Sequence, residues 1–330
     1  MIENAAIPSP VRASIFLLCY RMERTIAAAL QGALAQTVPC EIIVSDDASD
    51  DRSLEIAAAL VADYRGPHQV KIRRNDHNVG LCAHIDTLWR LSGSDVCVFM
   101  AGDDISYPQR VERLLAVFDQ FPDAFVAGSA VDEIDADEQP LRRGVRWLDS
   151  PLDQRDFLHS GHFMTVLGAS MAVRRRLLSA LPPLRGAVED NMLSLRATLF
   201  GRVYCLREAL LQYRLHGGNL GDWVYARGTG NRRSARRLRY ERTLRMYREI
   251  ADDHARCLQH LTDLAPGVRA RGEQIVSMYR LEADAREALL NLPRAQWFGP
   301  IWRGLRHPGL RRKSFERAFK LLLPRRLMGL

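Results

Sequence analysis

"FMAGDDISYPQRVERLL", Phe99 to Leu115, opens on a short apolar run, breaks at two adjacent carboxylates, Asp103 and Asp104, and then takes up helical spacing. Val111, Leu114, Leu115 and Phe118 repeat on one helical face, and Pro108 falls at a plausible first turn. A buried strand that delivers two negative charges to the start of a helix leaves two readings open. The pair caps the helix, or it holds something positive.

The same strand, loop and helix unit recurs upstream. "ASIFLLC" (Ala13 to Cys19) reads as a buried strand and is followed by Ile26, Leu30 and Leu34 at helical spacing. "CEIIVS" (Cys40 to Ser45) leads through "DDASDD" into "SLEIAAALVADY", "QVKIRR" precedes a helix from about Leu81 to Leu91, and "DVCVFM" is the fourth strand. Four alternations in about 120 residues predict an α/β fold: a doubly wound, mostly parallel, Rossmann-like sheet. Ligands of such sheets gather at the carboxyl ends of the strands. There the chain has "CYRMER", "DDASDD", "DHNVG" and "AGDD", and two of these four loops are carboxylate clusters.

Asp50 or Asp51 would make a good N-cap for the helix that follows, but capping uses one Asp of the cluster. Asp103 and Asp104 offer the hard oxygen ligands that Mg²⁺ or Mn²⁺ prefers, and they are weighted towards metal over capping. Beyond Asp149 the alternation ends. "GASMAVRRRLL" reads as a strand turning into a helix, "VEDNMLSLRATLFG" as a helix opened by Glu189 and Asp190, and "ALLQYRLHGGN" as a strand ending in a polar turn. Taken alone, Glu189 and Asp190 complement a helix dipole, and His216 is a satisfied loop histidine.

Together these stretches resemble the family 2 glycosyltransferases of the GT-A fold. "YRMER" resembles the family's Tyr-Asn-x-Glu-Arg turn, "EIIVSDDASDD" its nucleotide-binding "IIVVDDGSTD", and "NVGL" its Asn-x-Gly-Leu turn. "FMAGDDISYPQRVERLL" stands at its metal-binding Asp-x-Asp stretch, and the segment from "VEDN" to "LHGGN" resembles its acidic catalytic helix and Tyr-Arg-x-His turn. The resemblance covers roughly residues 11 to 221. It implies that Asp46 or Asp47 binds the base and ribose of a nucleotide-sugar donor, with Tyr20, Glu23, Asn78 and Gly80 lining that pocket. It further implies that Asp103 binds a divalent cation (Mn²⁺ or Mg²⁺), with Asp104 beside it on metal or donor sugar. Asp190 is implied as catalytic base, Glu189 as its neighbour, and His216 as facing the diphosphate or the metal. Two positions depart from the pattern. Ala101 stands where the first Asp of Asp-x-Asp is common, and Arg21 where Asn is common. The reaction this resemblance implies is inverting, metal-dependent transfer from the nucleotide-sugar donor to a hydroxyl of a lipid-linked glycan acceptor in cell-surface polysaccharide synthesis. The alternative that Ala101 raises is a catalytically impaired nucleotide- or glycan-binding protein.

Charge divides the chain. Residues 1–226 carry 23 basic and 29 acidic side chains, residues 227–293 carry 14 and 9, and residues 294–330 carry 10 and 1. The expected organisation is a catalytic domain over 1–226 and a basic helical extension over 227–330, with an amphipathic tail from about 294. In that tail Phe315, Ala318, Phe319 and Leu322 share one face, opposite Arg312, Lys313, Arg317 and Lys320, and Trp297, Ile301, Trp302 and Leu305 form a second apolar face. Aromatics with cations and no spanning length predict an anionic membrane surface as partner, and the acidic body argues against nucleic acid. "MIENAAIPSPVR" lacks the basic start and apolar core of a signal peptide. The expected location is cytoplasmic, peripheral on the inner face of the membrane. Six dispersed cysteines with no CxxC pair predict reduced thiols, those of Cys19, Cys97 and Cys205 buried in strands.

Overall fold

A computed structural model describes residues 11–216 and 232–321. The chain divides into two compact units: Met1–Pro151 with Val166–Pro183 and Arg202–Arg214, and Leu152–Thr165 with Leu184–Gly201 and Leu215–Leu330. The sequence expectation of a boundary at 226 lies outside the described residues. Two earlier segments, 152–165 and 184–201, belong with the C-terminal helices.

In the first unit, β1 (Ala13–Cys19), β2 (Glu41–Asp46), β3 (Gln69–Arg74) and β4 (Val96–Ala101) pair in parallel in the order β3-β2-β1-β4. The first three alternate with α1 (Ile26–Leu34), α2 (Ser53–Val61) and α3 (Leu81–Leu91). After β4 come the short β5 (Ile105–Ser106) and α4 (Arg110–Gln120). The sheet continues through β8 (Ala172–Arg174), antiparallel to both β4 and β6 (Ala124–Ile134), then through β9 (Arg202–Arg214), parallel to β6. β7 (Pro140–Val145) forms a hairpin with β6. The segment assigned to the second unit carries α5 (Gln154–Ser160), and α6 (Arg175–Ser179) follows β8.

Strand runs such as "ASIFLLC" are buried on both faces because helices cover the sheet. Ile15, Leu17, Ile42, Val44, Val98 and Met100 meet Ile26, Leu30, Leu114 and Phe118 in one core. Each such side chain contributes roughly 1.5–3 kcal/mol by leaving water. Strand order reverses between β1 and β4, so the loops after them flank the crevice where doubly wound sheets bind ligands. α1 brings Gly32 against β5: a Cβ there would lie 2.9 Å from Ser106 N. That glycine lets the chain following Asp103 and Asp104 lie flat on the helix.

In the second unit, α7 (Glu189–Ala197), α8 (Arg232–His260), α9 (Pro266–Asn291), α10 (Phe298–Arg306) and α11 (Arg311–Lys320) form a helical body. Arg196 and Asp253 are both buried and meet in a two-pronged pair at 2.7 and 2.6 Å. Phe163 stacks on Tyr247 with ring centroids 4.0 Å apart, and Tyr279 meets both rings edge-on at 5.3 and 5.4 Å.

The tail differs from the sequence expectation in two respects. Trp297 and Ile301 are buried with Ala288 and Leu289 instead of forming an exposed face with Trp302. Of the cations set opposite the apolar face of the tail, Arg317 is buried and Lys313 half-buried, because both are drawn to the buried carboxylate of Glu282, at 2.6 and 3.8 Å. Leu322 lies outside the described residues. The cysteines are free thiols, all buried except Cys205, which is half-buried. Among the described residues no helix is long and apolar enough to cross a membrane.

Candidate active site

Three loops meet at the carboxyl edge of the sheet and are tied by main-chain bonds. Asp47 N donates to Cys19 O at 2.8 Å, Gly102 N donates to Leu18 O at 2.9 Å, and Thr25 Oγ1 donates to Gly102 O at 2.8 Å. A Cβ at position 102 would meet Leu18 O at 3.1 Å, so glycine lets the loops after β1 and β4 approach.

Asp46 and Asp47 are both buried and do different work. The Asp46 carboxylate accepts from Ser49 N at 2.9 Å and from the Ser49 hydroxyl, closing the turn after β2, with the exposed Arg74 guanidinium at 3.5 Å. The Asp47 carboxylate accepts from Asn75 Nδ2 at 2.7 Å, Val79 N at 2.9 Å and Gly80 N at 3.0 Å. It thereby fixes the "NVG" turn, in which Gly80 has φ +79° and Asn78 is exposed. Behind Asp47, Arg73 donates to Ser45 Oγ and Asn75 Oδ1, both at 2.6 Å, and Ser45 Oγ lies 2.5 Å from His84 Nε2. Burial pushes the His84 imidazole down to about 4, so it serves as a neutral partner in this network.

Tyr20 and Glu23 stand exposed on the neighbouring loop. Glu23 accepts from Arg52 N at 3.2 Å, and the Arg21 guanidinium lies over the Tyr20 ring, 5.2 Å from its centroid, while gripping Asp50 at 2.7 and 2.8 Å. Arg21 has φ +55° and Ala48 φ +61°, a region that Asn and Gly enter with least strain. Of the aspartates before α2, Asp51 satisfies the first N–H of the helix from one position ahead of the N-cap, and Asp50 pairs with Arg21. Arg52 stands at the N-cap position without a side-chain bond, while Asp51 accepts from Ser53 N at 3.0 Å and from Glu23 N at 3.1 Å.

α4 begins at Arg110, so Asp104 does not cap it. Asp103 and Asp104 are 8% and 1% exposed. Asp104 Oδ1 accepts from Arg214 N at 2.9 Å, whereas Oδ2, equally buried, has no hydrogen-bond partner. Burial, and then the charge of Asp103, raise the Asp104 carboxyl well above the ordinary carboxylate range. Two arginines that sequence reasoning did not single out support the pair. Arg110, fully buried, donates to Ser106 Oγ, Phe99 O and Ala169 O. Arg214 donates through Nε to Asp103 O at 2.8 Å, through Nη1 to Ala136 O at 3.1 Å and through Nη2 to Glu138 Oε1 at 2.9 Å, which fixes the β6–β7 turn. Ala101 ends β4 beside Leu18 and supplies no ligand. Among the described residues no group of three or more His, Cys, Asp or Glu is arranged to hold a metal ion.

The first unit therefore assembles Tyr20, Glu23, Asp46, Asp47, Asn78, Gly80, Asp103 and Asp104 on the loops of one sheet edge. Glu189, Asp190 and His216 belong to the second unit. Glu189 and Asp190 open α7, and Asp190 Oδ1 accepts from Asn191 N at 2.6 Å and Asn191 Nδ2 at 2.8 Å. The Glu189 carboxyl is pushed up to about 8 by burial first and by the charge of Asp190 second. His216 is half-buried, two residues beyond β9.

A four-stranded parallel core in the order 3-2-1-4, extended by mixed strands and carrying an acidic pair after its fourth strand, is that of a GT-A type nucleotide-binding fold. Residues 14–181 match the model of the family described as glycosyl transferase family 2, and the chain belongs to that family. EpsE of Bacillus subtilis (strain 168), named as a glycosyltransferase, is 30% identical over 121 residues, 36% of this chain and 43% of its own length. The chain thus matches less than half of that relative. An uncharacterized glycosyltransferase of Nostoc, alr2836, is 25% identical over 63% of this chain and 66% of its own. Among solved structures, S. aureus TarS 1-349 in complex with UDP-GlcNAc superposes with a TM-score of 0.57 at 17% identity, covering 90% of this chain and 82% of that one. The mannosyltransferase PcManGT from Pyrobaculum calidifontis, in complex with GDP-Man and Mn²⁺, gives 0.52 at 14%, covering 96% and 88%. At these identities the likeness establishes the fold.

Proposed function

We propose that the protein transfers a sugar, with inversion, from a nucleoside-diphosphate donor to a hydroxyl of a glycan acceptor. The observation that carries this reading is the buried Asp103–Asp104 pair with one unpartnered carboxylate oxygen at the reversal point of the sheet. A buried oxygen without a partner is costly, and a cation relieves it. Mn²⁺ or Mg²⁺ fits this donor set: Asp103, with Asp104 beside it, would supply hard oxygens and leave the rest of the shell to phosphate. Bound there, the cation would offset the charge growing on the departing diphosphate. Ala101 removes one ligand from the family's pattern without removing this pair.

The loops after β1, β2 and β3, bearing Tyr20, Glu23, Asp46, Asp47, Asn78 and Gly80, are assigned to the nucleotide, and His216 to the diphosphate or the metal. Asp190 takes the proton of the attacking hydroxyl. With a single base and no nucleophile the configuration at the anomeric carbon inverts, by the same opposite-face logic as inverting glycosidases. A base can act at an ordinary carboxylate pKa when the hydroxyl becomes acidic only as it bonds. The acceptor is assigned as a lipid-linked glycan of a surface polysaccharide, and the location as peripheral on the inner face of the membrane, on the strength of the basic aromatic tail.

Thermal unfolding against UDP, GDP, dTDP and CMP, with and without Mn²⁺, tests the donor. A ligand that binds only the folded state at 100 times its Kd adds about 2.7 kcal/mol. A metal-dependent shift with one nucleotide is expected and names the donor class. Asp190→Asn should keep that shift and lose transfer by about 10²–10⁴-fold. Absence of any shift in folded protein, or full transfer by the variant, overturns the reading.

A further inference from the structure

Helix α11 is docked with its polarity reversed. A surface helix ordinarily turns its apolar stripe inward and its charges outward. Here Ser314 and Arg317 are buried, Lys313 is half-buried, and Phe315 and Phe319 are 70% and 60% exposed. The inward side is held by ions. Arg317 donates two bonds to Glu282, at 2.8 and 2.6 Å, and Lys313 Nζ donates to Gly161 O at 2.7 Å. The outward placement of the two phenylalanines is therefore fixed by the docking of the helix.

Helix α10 repeats the arrangement with different chemistry. Ile301 and Gly304 face inward, and a Cβ at 304 would collide with the Ser314 side chain, so the glycine lets α11 cross closely. Phe298 and Trp302, at 64% and 46% exposed, stack with ring centroids 6.0 Å apart, and the Arg306 guanidinium lies 4.9 Å from the Trp302 centroid. Each helix thus presents an aromatic pair at i, i+4 to solvent. Single exposed apolar residues are ordinary, but four large aromatics within 22 residues are not. Around them Arg303, Arg306, Arg311 and Arg312 are exposed, in a segment with ten cations and one acid.

We propose that these outward aromatic faces seat the protein on an anionic bilayer, with Phe298, Trp302, Phe315 and Phe319 at headgroup depth and the exposed arginines on lipid phosphates. Charge complementarity selects this occupant over a neutral apolar partner, and aromatic rings with cations suit the membrane interface better than an aliphatic stripe would. Lys313 and Arg317 are excluded from lipid contact because Glu282 holds them. The proposal deepens the membrane part of the function proposed above and does not depend on the transfer chemistry.

The test uses the full chain, without donor or acceptor, floated with vesicles of phosphatidylcholine alone or mixed with phosphatidylglycerol. Binding is expected only with the anionic lipid and should weaken at high salt. Phe315→Ser/Phe319→Ser and, separately, Phe298→Ser/Trp302→Ser should each lower vesicle affinity about tenfold or more, with melting temperature and metal-dependent nucleotide shift unchanged. Quenching of tryptophan fluorescence by bromolipid should fall in Trp302→Phe. Equal binding to neutral vesicles, or unchanged affinity in both double variants, overturns the proposal. So does a concentration-dependent dimer that the Phe315→Ser/Phe319→Ser change abolishes, which would make a second copy the occupant. Protection of these aromatics by residues 322–330, revealed as vesicle binding that appears only on their truncation, would do the same.

Discussion

The main-chain N–H of Arg214 donates to one carboxylate oxygen of Asp104 at 2.9 Å, and the other oxygen of that carboxylate has no hydrogen-bond partner. The last residue of β9 thereby holds the loop after β4 in place while leaving half of its acidic group open. The Arg214 side chain extends the hold to Asp103 O and to the turn between β6 and β7. Elements far apart in sequence thus converge on one buried carboxylate pair, the pair to which the proposed function assigns the cation.

Arg214→Lys keeps the charge and the main-chain bond but gives up the fork that reaches Asp103 O, Ala136 O and Glu138. Carbonyl groups left buried without donors cost roughly 1–3 kcal/mol each, so urea unfolding should show a loss of about 2–4 kcal/mol. The free Mn²⁺ signal in electron paramagnetic resonance, titrated with protein and nucleotide, should report at least about tenfold weaker metal binding, with metal-free nucleotide affinity retained. Unchanged Mn²⁺ affinity would show that the guanidinium serves the fold alone.

Ala48 occupies the left-handed region with φ +61°, at a position where the resembling motif carries glycine. An L-residue there is strained by roughly 1–2 kcal/mol, while glycine loosens the unfolded chain by about 0.4–1 kcal/mol. Ala48→Gly should therefore stabilise the protein by roughly 0.5–1 kcal/mol net. Denaturant midpoints at constant slope measure it, and a lower midpoint would place the constraint elsewhere in the loop.

The first half of the fold was legible because β1, β2 and β4 carry short apolar runs and the edge strand β3 alternates polar with apolar, each meeting a charged loop, and residues 13–19 and 69–74 form strands with the bounds the sequence predicts. Strand β6, "AFVAGSAVDEI", was not, because its Gly, Ala and Ser residues give no β-branched run to read, although it pairs with three other strands. The acidic candidates stood out in the sequence because two of the four loops at the strand ends are carboxylate clusters. The arginines that organise them did not: Arg110 and Arg214 look like ordinary surface cations, and their burial comes from carbonyls supplied by other segments. Lys313 and Arg317 misled in the same way, since Glu282 lies in a different helix.

Glu189 gives stability a pH dependence of definite sign. Its folded carboxyl is raised to about 8 from an ordinary value of 4.5, so between those pH values the native state holds a proton that the unfolded chain has released. Stability linked to this group is complete below about pH 4.5 and is lost as pH rises through 8. Glu189→Gln removes the titration. The variant should match wild type near pH 5 and exceed it above pH 8 in urea midpoints. A constant difference across that range would show that Glu189 ionises normally.

Glu282 is buried among three cations: Arg317 at 2.6 Å, Arg286 at 3.0 Å and Lys313 at 3.8 Å. Burial alone would raise its carboxyl, but the Arg317 hydrogen bonds lead the opposing effects and hold it below the ordinary range. Its stabilisation is present above the unfolded carboxyl pKa and is lost as pH falls through the folded one. Glu282→Gln leaves the cations packed together without a counter-charge, and breaking a buried pair from one side costs about 3–5 kcal/mol. Against a total of about 5–15 kcal/mol that is severe, and it acts where α11 docks. The variant should lose about 3 kcal/mol or more in urea unfolding. Glu282→Gln/Arg317→Met should recover part of this, because it withdraws one uncompensated charge and places an apolar side chain of similar reach against α9. A double variant no more stable than the single would mean that Arg286 and Lys313, not Arg317, carry the coupling to Glu282.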